Sequence, residues 1–267
     1  MSDPLALLMS DLVDSTGTTQ RLGPVASERL WAEHDRMARA LLASWGGIEV
    51  DKSDGFLLIF GEARDAARYA LAYHQALTRL PEPVSARIGI HVAPVAVRPN
   101  NDAEVASGAK PFEIENWLAK ALTSRLMSLA RSGQTLLSAA AAASMAGSPQ
   151  RLRSHGHWRA QGLPDPIEVF EVGDARTAFE PPADAPKVWR VVERSGVWLP
   201  VRDVRHSLPS EPDAFVGRTR DLLDLADALD SGARLCTVLG TGGIGKTRLA
   251  LRLGWQRLGD HAGGVWF

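Results

Sequence analysis

Strand-like and helix-like periodicities alternate along residues 1–175, and this alternation limits the possible folds more than any other feature of the sequence. Residues 5–9 are an apolar run that predicts a buried strand, which ends at Ser10 and Asp11. Apolar side chains recur near the helical period over residues 27–45, which predicts a helix ended by Gly46. The chain therefore begins with a strand that carries a carboxylate at its end, followed by a helix.

A hairpin, a second helix and another strand come next. Residues 48–50 and 56–60 are rich in β-forming residues and flank a polar loop with a glycine, which places Asp54 at a hairpin tip. Residues 63–80 are predicted to be helical, and the alternation over residues 84–92 predicts a half-buried strand. The strand-end and hairpin-tip positions are suited to bringing two carboxylates to one surface patch.

A third helix is predicted over residues 112–130. Arg125 lies on its apolar stripe, so this helix is expected to carry a charge on an apolar face. With closing strands over residues 134–137 and 167–172, the order of elements predicts an α/β (α+β) fold with a ferredoxin-like core. The other members of the stripe are Ile114, Trp117, Leu118, Ala121, Leu122, Leu126 and Leu129.

Prolines accumulate after residue 174 and indicate a domain boundary. We expect an α/β domain over residues 1–175, a proline-rich linker over residues 176–214 and a separate module over residues 215–267. Trp189 and Trp198 would be unusual in a free linker, which indicates that some of this segment is ordered.

Charge and cysteine content exclude several classes of protein. The 267-residue chain has a formal net charge of −1 and no long basic run, so binding to nucleic acid or to a membrane surface is not expected. Cys236 is the only cysteine, which excludes an intrachain disulfide and favours a reducing compartment. Because we find no signal peptide or membrane helix pattern, we expect a soluble cytoplasmic protein.

A complete GxxxxGK[ST] motif occupies residues 240–247 and is the most specific local signal in the sequence. It follows residues 234–239, which are predicted to form a strand, and it precedes a helical segment. In such a motif the glycines let backbone N–H groups surround phosphate, and the lysine reaches the terminal phosphates. The hydroxyl of the final Ser or Thr coordinates Mg²⁺. The residues expected to bind nucleotide are Gly240, Gly243, Gly245, Lys246 and Thr247.

Residues 215–222, Phe-Val-Gly-Arg-Thr-Arg-Asp-Leu, resemble the entry motif of STAND and NB-ARC-like signalling ATPases. In that family the segment lies against the adenine, so the resemblance adds Arg218 to the nucleotide-binding residues. The resemblance covers residues 215–267, whereas a nucleotide-binding sheet needs further strands and a second acidic motif. We therefore expect the N-terminal part of a truncated P-loop ATPase module, which alone should not hydrolyse ATP.

Six segments of the larger domain resemble class III adenylyl and guanylyl cyclases, and together they span about residues 5–173. The first two resemble the metal-binding motifs of that family, and the third resembles the strand after its second helix. The resemblance implies a ferredoxin-like class III cyclase core. The segments are residues 10–16, 54–60, 87–92, 125–130, 133–138 and 162–170.

The resemblance also implies a chemistry and a partner. In this family two Mg²⁺ or Mn²⁺ ions held by two aspartates activate the ribose 3′-hydroxyl and steady the triphosphate as pyrophosphate leaves. Asp11 and Asp54 occupy those metal positions, and Arg125 occupies the position of the arginine that stabilises charge on the phosphate. Because the family's sites form between two subunits, the resemblance implies a homodimer that cyclises ATP or GTP.

Several positions depart from the family pattern. Ala121 stands where an asparagine orients the ribose, and Val50 and Ile114 stand where polar residues select the purine. In the family, a lysine near the end of the domain contacts the triphosphate. Gln161 stands at that position, and Arg159 is a possible substitute. Residues needed for fast turnover are therefore missing.

Two functions remain open. One is a cyclic-nucleotide signalling protein with weak adenylate or guanylate cyclase activity, coupled to the ATP-binding module. The other is an inactive cyclase-homology domain that binds nucleotide or dimerises and thereby regulates the ATPase.

Lys52 lies two residues before Asp54. Its side chain is predicted to leave the strand on the face that does not select the purine, unless the hairpin differs from the family's.

Overall fold

A mixed β-sheet forms the centre of the structure, with nine strands in the part of the chain that is described. The computed structural model describes residues 3–53, 55–160, 163, 165–185, 187–194, 197–201, 205–210, 215–257, 261 and 263–267. The sheet strands are β1 (Pro4–Leu12), β2 (Ile48–Lys52), β3 (Phe56–Phe60), β4 (Ala86–Pro94), β7 (Thr135–Ser138), β8 (Arg151–Ala160), β9 (Ile167–Gly173), β10 (Val188–Arg194) and β11 (Val197–Pro200). A separate two-stranded ribbon consists of β5 (Val97–Pro99) and β6 (Phe112–Ile114).

Helices connect these strands. The spatial order of the sheet is β11-β10-β8-β9-β7-β4-β1-β3-β2, and neighbours are antiparallel except for the parallel pair β4 and β7. This mixed α+β architecture confirms the fold class predicted for the larger domain. The helices are α1 (Ser15–Leu22), α2 (Pro24–Ser44), α3 (Ala63–Leu77), α4 (Asp102–Ala106), α5 (Trp117–Leu129), α6 (Ala139–Ala143), α7 (Thr219–Asp230) and α8 (Lys246–Arg257).

The central strand β1 separates two cores. Leu8 faces α2 and α3 and belongs to a large cluster that includes Tyr73. Leu7 points to the opposite face and packs with Ile114 and Ala119, at the start of α5. Because side chains alternate along a strand, Asp11 shares the α5 face with Leu7.

Helix α5 is shorter and rotated relative to the prediction. It begins at Trp117, with the Asn116 side chain accepting a hydrogen bond from the Ala119 N–H at 3.0 Å, and residues 112–114 pair with β5 instead. Ala119, Thr123, Leu126 and Leu129 form its buried face. Trp117 is 73% exposed and Leu118 is 43% exposed, so the predicted stripe is wrong at that end.

Part of the segment predicted as a linker lies on the sheet. β10 pairs with β8, with Val188 opposite Ala160, and β11 pairs with β10. Val188 and Val191 are both buried. Apolar burial therefore holds residues 188–194 and 197–200 on the edge of the larger domain, as the tryptophans of this segment indicated.

The C-terminal residues contribute two packed helices, α7 and α8. Residues 234–239 were expected to form a strand, and this prediction is wrong in the described structure, where they pair with no other described strand. Leu235 is 84% exposed and Leu239 is 85% exposed. An extended segment needs a hydrogen-bonded neighbour to become a strand, and none of the described residues supplies one.

None of the helices in the described part of the chain combines the length and the apolar character required to cross a membrane.

Candidate functional site

Asp11 lies near the end of β1, directly across from Arg87 on β4. The Arg87 guanidinium forms an ion pair with the Asp11 carboxylate, and both side chains are partly exposed. The Arg87 Nε atom is buried and makes no hydrogen bond within the described residues. The predicted metal ligand is thus held by a neighbouring cation, an interaction that the sequence prediction did not include.

The hairpin between β2 and β3 packs tightly against the strand that carries Asp11. A Cβ atom at Gly55 would overlap the Ser10 carbonyl oxygen, so only glycine fits there without movement. The Phe56 N–H donates to Ser10 Oγ at 3.1 Å. Asp54, the second predicted metal ligand, lies outside the described residues, while its neighbour Gly55 lies against β1.

A partly buried polar chain runs behind the hairpin, on the α2 face. Lys52 Nζ lies 2.7 Å from Asp35 Oδ2, and Asp35 Oδ1 lies 2.9 Å from His34 Nδ1. His34 Nε2 lies 2.6 Å from the Tyr73 hydroxyl, and burial lowers the pKa of His34. Its ring also stacks on Phe56 at 5.7 Å. Lys52 therefore points away from Asp11.

This chain was not predicted from the sequence. Its members come from α2, β2 and α3, which meet only in the folded structure. The available signal was His34, a polar residue inside the apolar period of the helix predicted over residues 27–45. The chain secures the β2–β3 hairpin to α2 and α3.

Helix α5 lies close to the strand pair that carries Asp11. A Cβ atom at Gly89 would overlap the Met127 backbone, so α5 crosses β4 in direct contact. Gly89 pairs with Met9 of β1. Arg125 is half-buried on α5, and its Nε atom makes no hydrogen bond within the described residues. The structure therefore brings α5, and with it Arg125, to the face of the sheet that holds Asp11.

The two positions that would select a purine are part of the core. Val50 is 4% exposed and Ile114 is 6% exposed, and both belong to the same apolar cluster. Neither side chain can form a hydrogen bond. One turn before Arg125, Ala121 offers no amide to orient a ribose.

Arg159 is far from Asp11 within one chain. It lies on β8, opposite Trp189 of β10, and three strands separate β8 from β1. Four strand spacings amount to about 19 Å. The predicted substitute for the late lysine therefore does not meet Asp11 in a single chain.

The glycine-rich motif forms a loop that leads into α8. Gly240, Gly243 and Gly245 have positive φ angles of 155°, 78° and 86°, conformations that favour glycine. Lys246 Nζ donates to the Gly240 and Thr241 carbonyl oxygens at 2.8 and 2.9 Å. The lysine thus lies folded over the loop.

Arg218 contacts the same loop. Its Nη1 atom donates to the Ile244 carbonyl oxygen at 2.8 Å, and its Nε atom donates to Asp221 at 2.7 Å. A cavity of about 450 Å³ adjoins the loop and is lined by Gly243, Lys246 and Thr247, among others. The predicted nucleotide-binding residues therefore cluster around one loop and its cavity.

Known structures with a similar fold are nucleotide cyclases. A structure of Trypanosoma brucei adenylate cyclase in its monomeric state matches with a TM-score of 0.58 at 18% identity, covering 66% of this chain and 90% of that one. The adenylyl cyclase CyaB from P. aeruginosa matches with a TM-score of 0.57 at 19% identity, covering 65% and 95%.

A third similar structure is the guanylate cyclase domain of RhGC from Catenaria anguillulae in complex with GTP. It matches with a TM-score of 0.54 at 18% identity, covering 64% of this chain and 97% of that one. A scan of family models finds no match, and a search of curated proteins finds none either. Over the 64–66% of the chain that these structures cover, the fold is that of the class III adenylyl and guanylyl cyclase domains.

Proposed function

We propose that residues 1–175 bind a nucleoside triphosphate and convert it weakly to a cyclic nucleotide with release of pyrophosphate. The observation that carries this proposal is the position of Asp11 in a cyclase fold. Asp11 lies near the end of β1, shares the sheet face of Leu7 that α5 covers, and has its Cα atom next to the hairpin residue Gly55. This placement suits the chemistry because charge on a triphosphate must be neutralised close to the reacting hydroxyl.

Asp11 is chemically suited to a divalent cation. Its side chain is 27% exposed and offers the oxygen ligands that Mg²⁺ and Mn²⁺ prefer. The described residues contain no group of three or more His, Cys, Asp or Glu side chains placed to hold a metal, so a site here depends on Asp11 together with Asp54. Cations at these residues would activate the ribose 3′-hydroxyl and neutralise the triphosphate. Arg87 forms an ion pair with the Asp11 carboxylate.

The separation of Asp11 from Arg159 supports a homodimeric site. A site that used both side chains could not take them from one chain, since about 19 Å separates their strands. A second copy would supply Arg159 to the face that holds Asp11. The closed symmetry of a dimer would then create two equivalent sites.

For residues 215–267 we propose ATP binding at the glycine-rich loop. The two carbonyl contacts of Lys246 support it, because a phosphate would replace them with a stronger, charge-assisted partner. Lys246→Ala should abolish the part of ATP binding that belongs to this loop, measured by calorimetry on the whole chain. Unchanged ATP binding would contradict the assignment.

A second function, regulation without turnover, is favoured by the buried Val50 and Ile114. Two apolar core side chains at the purine-selecting positions, with Ala121 in place of an amide, remove positioning contacts that are each worth about 10² in rate. Such a domain would bind nucleotide or dimerise and would act on the C-terminal module.

One experiment separates the two functions. The whole chain is incubated with Mn²⁺ and either ATP or GTP, and cyclic nucleotide and pyrophosphate are quantified. Asp11→Ala and Asp54→Ala are the test variants, and Asp14→Ala is the matched control because its carboxylate is exposed and pairs with Arg21.

We expect slow product formation that disappears in both test variants and persists in the control. Nucleotide binding without product would establish the regulatory function instead. If neither product nor Mn²⁺-dependent nucleotide binding depends on Asp11 and Asp54, the metal assignment is wrong.

A further inference from the structure

The solvent side of α5 presents a large aromatic side chain on the helix that carries Arg125. Trp117 is the first residue of α5 and is 73% exposed, and its neighbour Leu118 is also exposed. The opposite side of the helix packs into the sheet through Ala119 and Thr123. The helix is therefore fixed to the sheet, while most of the Trp117 ring faces solvent.

Trp117, Ala121 and Arg125 form one row along α5. Residues four apart on a helix are neighbours on its surface, and eight residues rise by about 12 Å. The row thus has an aromatic ring at one end, a small side chain in the middle and a guanidinium at the other end. Arg125 is half-buried, and its buried Nε atom makes no hydrogen bond within the described residues. Because the row lies on a single helix, its order does not depend on how two chains meet.

A nucleoside triphosphate carries its groups in the same order along its length. The proposed function places the phosphates at Arg125 and the ribose beside Ala121, so the base extends towards the start of α5, where Trp117 lies. Val50 and Ile114 are buried apolar side chains and give the base no hydrogen bond. An aromatic side chain can replace such contacts, because stacking on a base strengthens binding about tenfold.

We propose that Trp117 stacks on the base of the bound nucleotide and is the residue that recognises a purine in this domain. The inference rests on the proposed function, since it requires a nucleoside triphosphate in the cyclase-type site. Every base has a π-face, so stacking does not distinguish adenine from guanine. The domain therefore accepts ATP and GTP about equally and prefers both to a pyrimidine nucleotide, whose single ring offers less area.

A dimer contact is the alternative role for the exposed ring. A fully buried tryptophan covers at most about 250 Å². A stable interface buries about 800 Å² on each partner, so Trp117 alone does not define one. The row that joins Trp117 to Arg125 instead favours the nucleotide as the occupant, and the oligomeric state of the variants tests the alternative.

The test measures binding by calorimetry, in Mn²⁺, to the whole chain carrying Lys246→Ala, which removes the other proposed nucleotide site. The probes are 3′-deoxy-ATP, 3′-deoxy-GTP and 3′-deoxy-UTP, which lack the attacking hydroxyl and cannot be cyclised, and inorganic tripolyphosphate, which has no base. Trp117→Ala and Trp117→Phe are the test variants. Trp266→Ala is the matched control, because Trp266 is similarly exposed, at 66%. Sedimentation measures the oligomeric state of each variant.

We expect the two purine probes to bind with similar affinity, and the uridine probe to bind more weakly. Trp117→Ala should weaken purine binding about tenfold relative to the control, with Trp117→Phe in between. Tripolyphosphate should bind equally to all variants, because it has no ring to stack. Equal purine binding by Trp117→Ala and the control would overturn the inference. So would an equal loss of tripolyphosphate binding, or a loss of the dimer in Trp117→Ala alone.

Asp11→Ala in the same background separates this inference from the proposed function. If Asp11→Ala loses Mn²⁺-dependent binding while Trp117→Ala binds like the control, only the role of Trp117 is wrong. A preference of more than tenfold between the two purine probes would indicate recognition by hydrogen bonds and would also contradict stacking alone. If no probe binds in a Mn²⁺-dependent way to the parent chain, the proposed function is wrong and this inference falls with it.

Discussion

Asp11 and Arg87 form a cross-strand ion pair at a place where a cation is expected to bind. The pair is partly exposed, with side chains that are 27% and 38% accessible, so solvent weakens it. A divalent cation and the guanidinium would compete for the same carboxylate oxygens. Arg87 is therefore a candidate regulator of metal occupancy.

Replacing Arg87 by Gln should strengthen Mn²⁺-dependent nucleotide binding several-fold, because the Asp11 carboxylate loses its competing partner. The change is measured by titrating Mn²⁺ at fixed nucleotide. Arg21→Gln is the control, since it frees the exposed carboxylate of Asp14 instead. Weaker Mn²⁺ binding in the Arg87 variant would mean that the arginine positions Asp11 for the metal.

Individual site residues were predictable only as far as their local pattern extended. The apolar run before Asp11 indicated its strand-end position, and the face of Asp11 follows from strand alternation. Its pairing with Arg87 depends on the register between β1 and β4, segments about 75 residues apart that no local pattern aligns. Asp54 stays a prediction because it lies outside the described residues.

At the scale of elements, the contact between the β2–β3 hairpin and β1 determines the shape of the candidate site. Gly55→Ala should destabilise the protein by about 2 kcal/mol or more, since the added Cβ overlaps the Ser10 backbone. Urea unfolding measures the loss. Gly61→Ala is a matched control at the other end of β3, where a Cβ meets no atom within 4 Å. Equal stability of the two variants would show that the hairpin does not pack on β1 as described.

Three histidines, the buried His34 and the half-buried His74 and His91, connect elements and make stability depend on pH. Burial lowers the pKa of His34, and it lowers those of His74 and His91 to about 4. The unfolded chain takes up these protons near pH 6.5, whereas the folded state resists them, so stability should fall as pH drops from 6.5 towards 4.

The measurement is the urea midpoint at several pH values in this window. His74→Gln should give a shallower decline than the unmodified chain, because one of the three contributions is removed while the Thr135 contact can persist. An identical slope in the variant would show that His74 does not contribute.

Elements with a strong period were predicted more reliably than short ones. The helix predicted over residues 27–45 corresponds to α2, because its apolar period is long and ends at glycine. Helix α1 was missed since its polar sequence has no apolar period. Residues 112–114 were assigned to a helix, and tertiary pairing with β5 makes them a strand.

At the scale of the whole molecule, the proposed site is complete only when two chains meet. A mixture of Asp11→Ala and Arg159→Ala chains should therefore recover activity that neither variant has alone. Random pairing gives half heterodimers, each with one intact site, so roughly a quarter of the unmodified activity is expected. Cyclic nucleotide formation after mixing measures the recovery. Absence of recovery from an active parent protein would contradict a shared site.

The domain organisation of the whole chain was only partly predictable from the sequence. Proline content indicated a boundary after residue 174, but it could not show that residues 188–194 and 197–200 return to the sheet. Long-range pairing of this kind depends on which edge of the sheet is open, and that edge exists only after the first domain has folded.

The return of β10 to the sheet also protects the larger domain from edge-to-edge aggregation through β8. Without β10, one side of β8 would present a row of unpaired N–H and C=O groups, which is a template for pairing with strands of other molecules. A protein truncated after residue 175 would thus expose the unpaired edge of β8 and tend to aggregate. The segment that joins the two parts of the chain therefore also covers the edge strand of the larger domain.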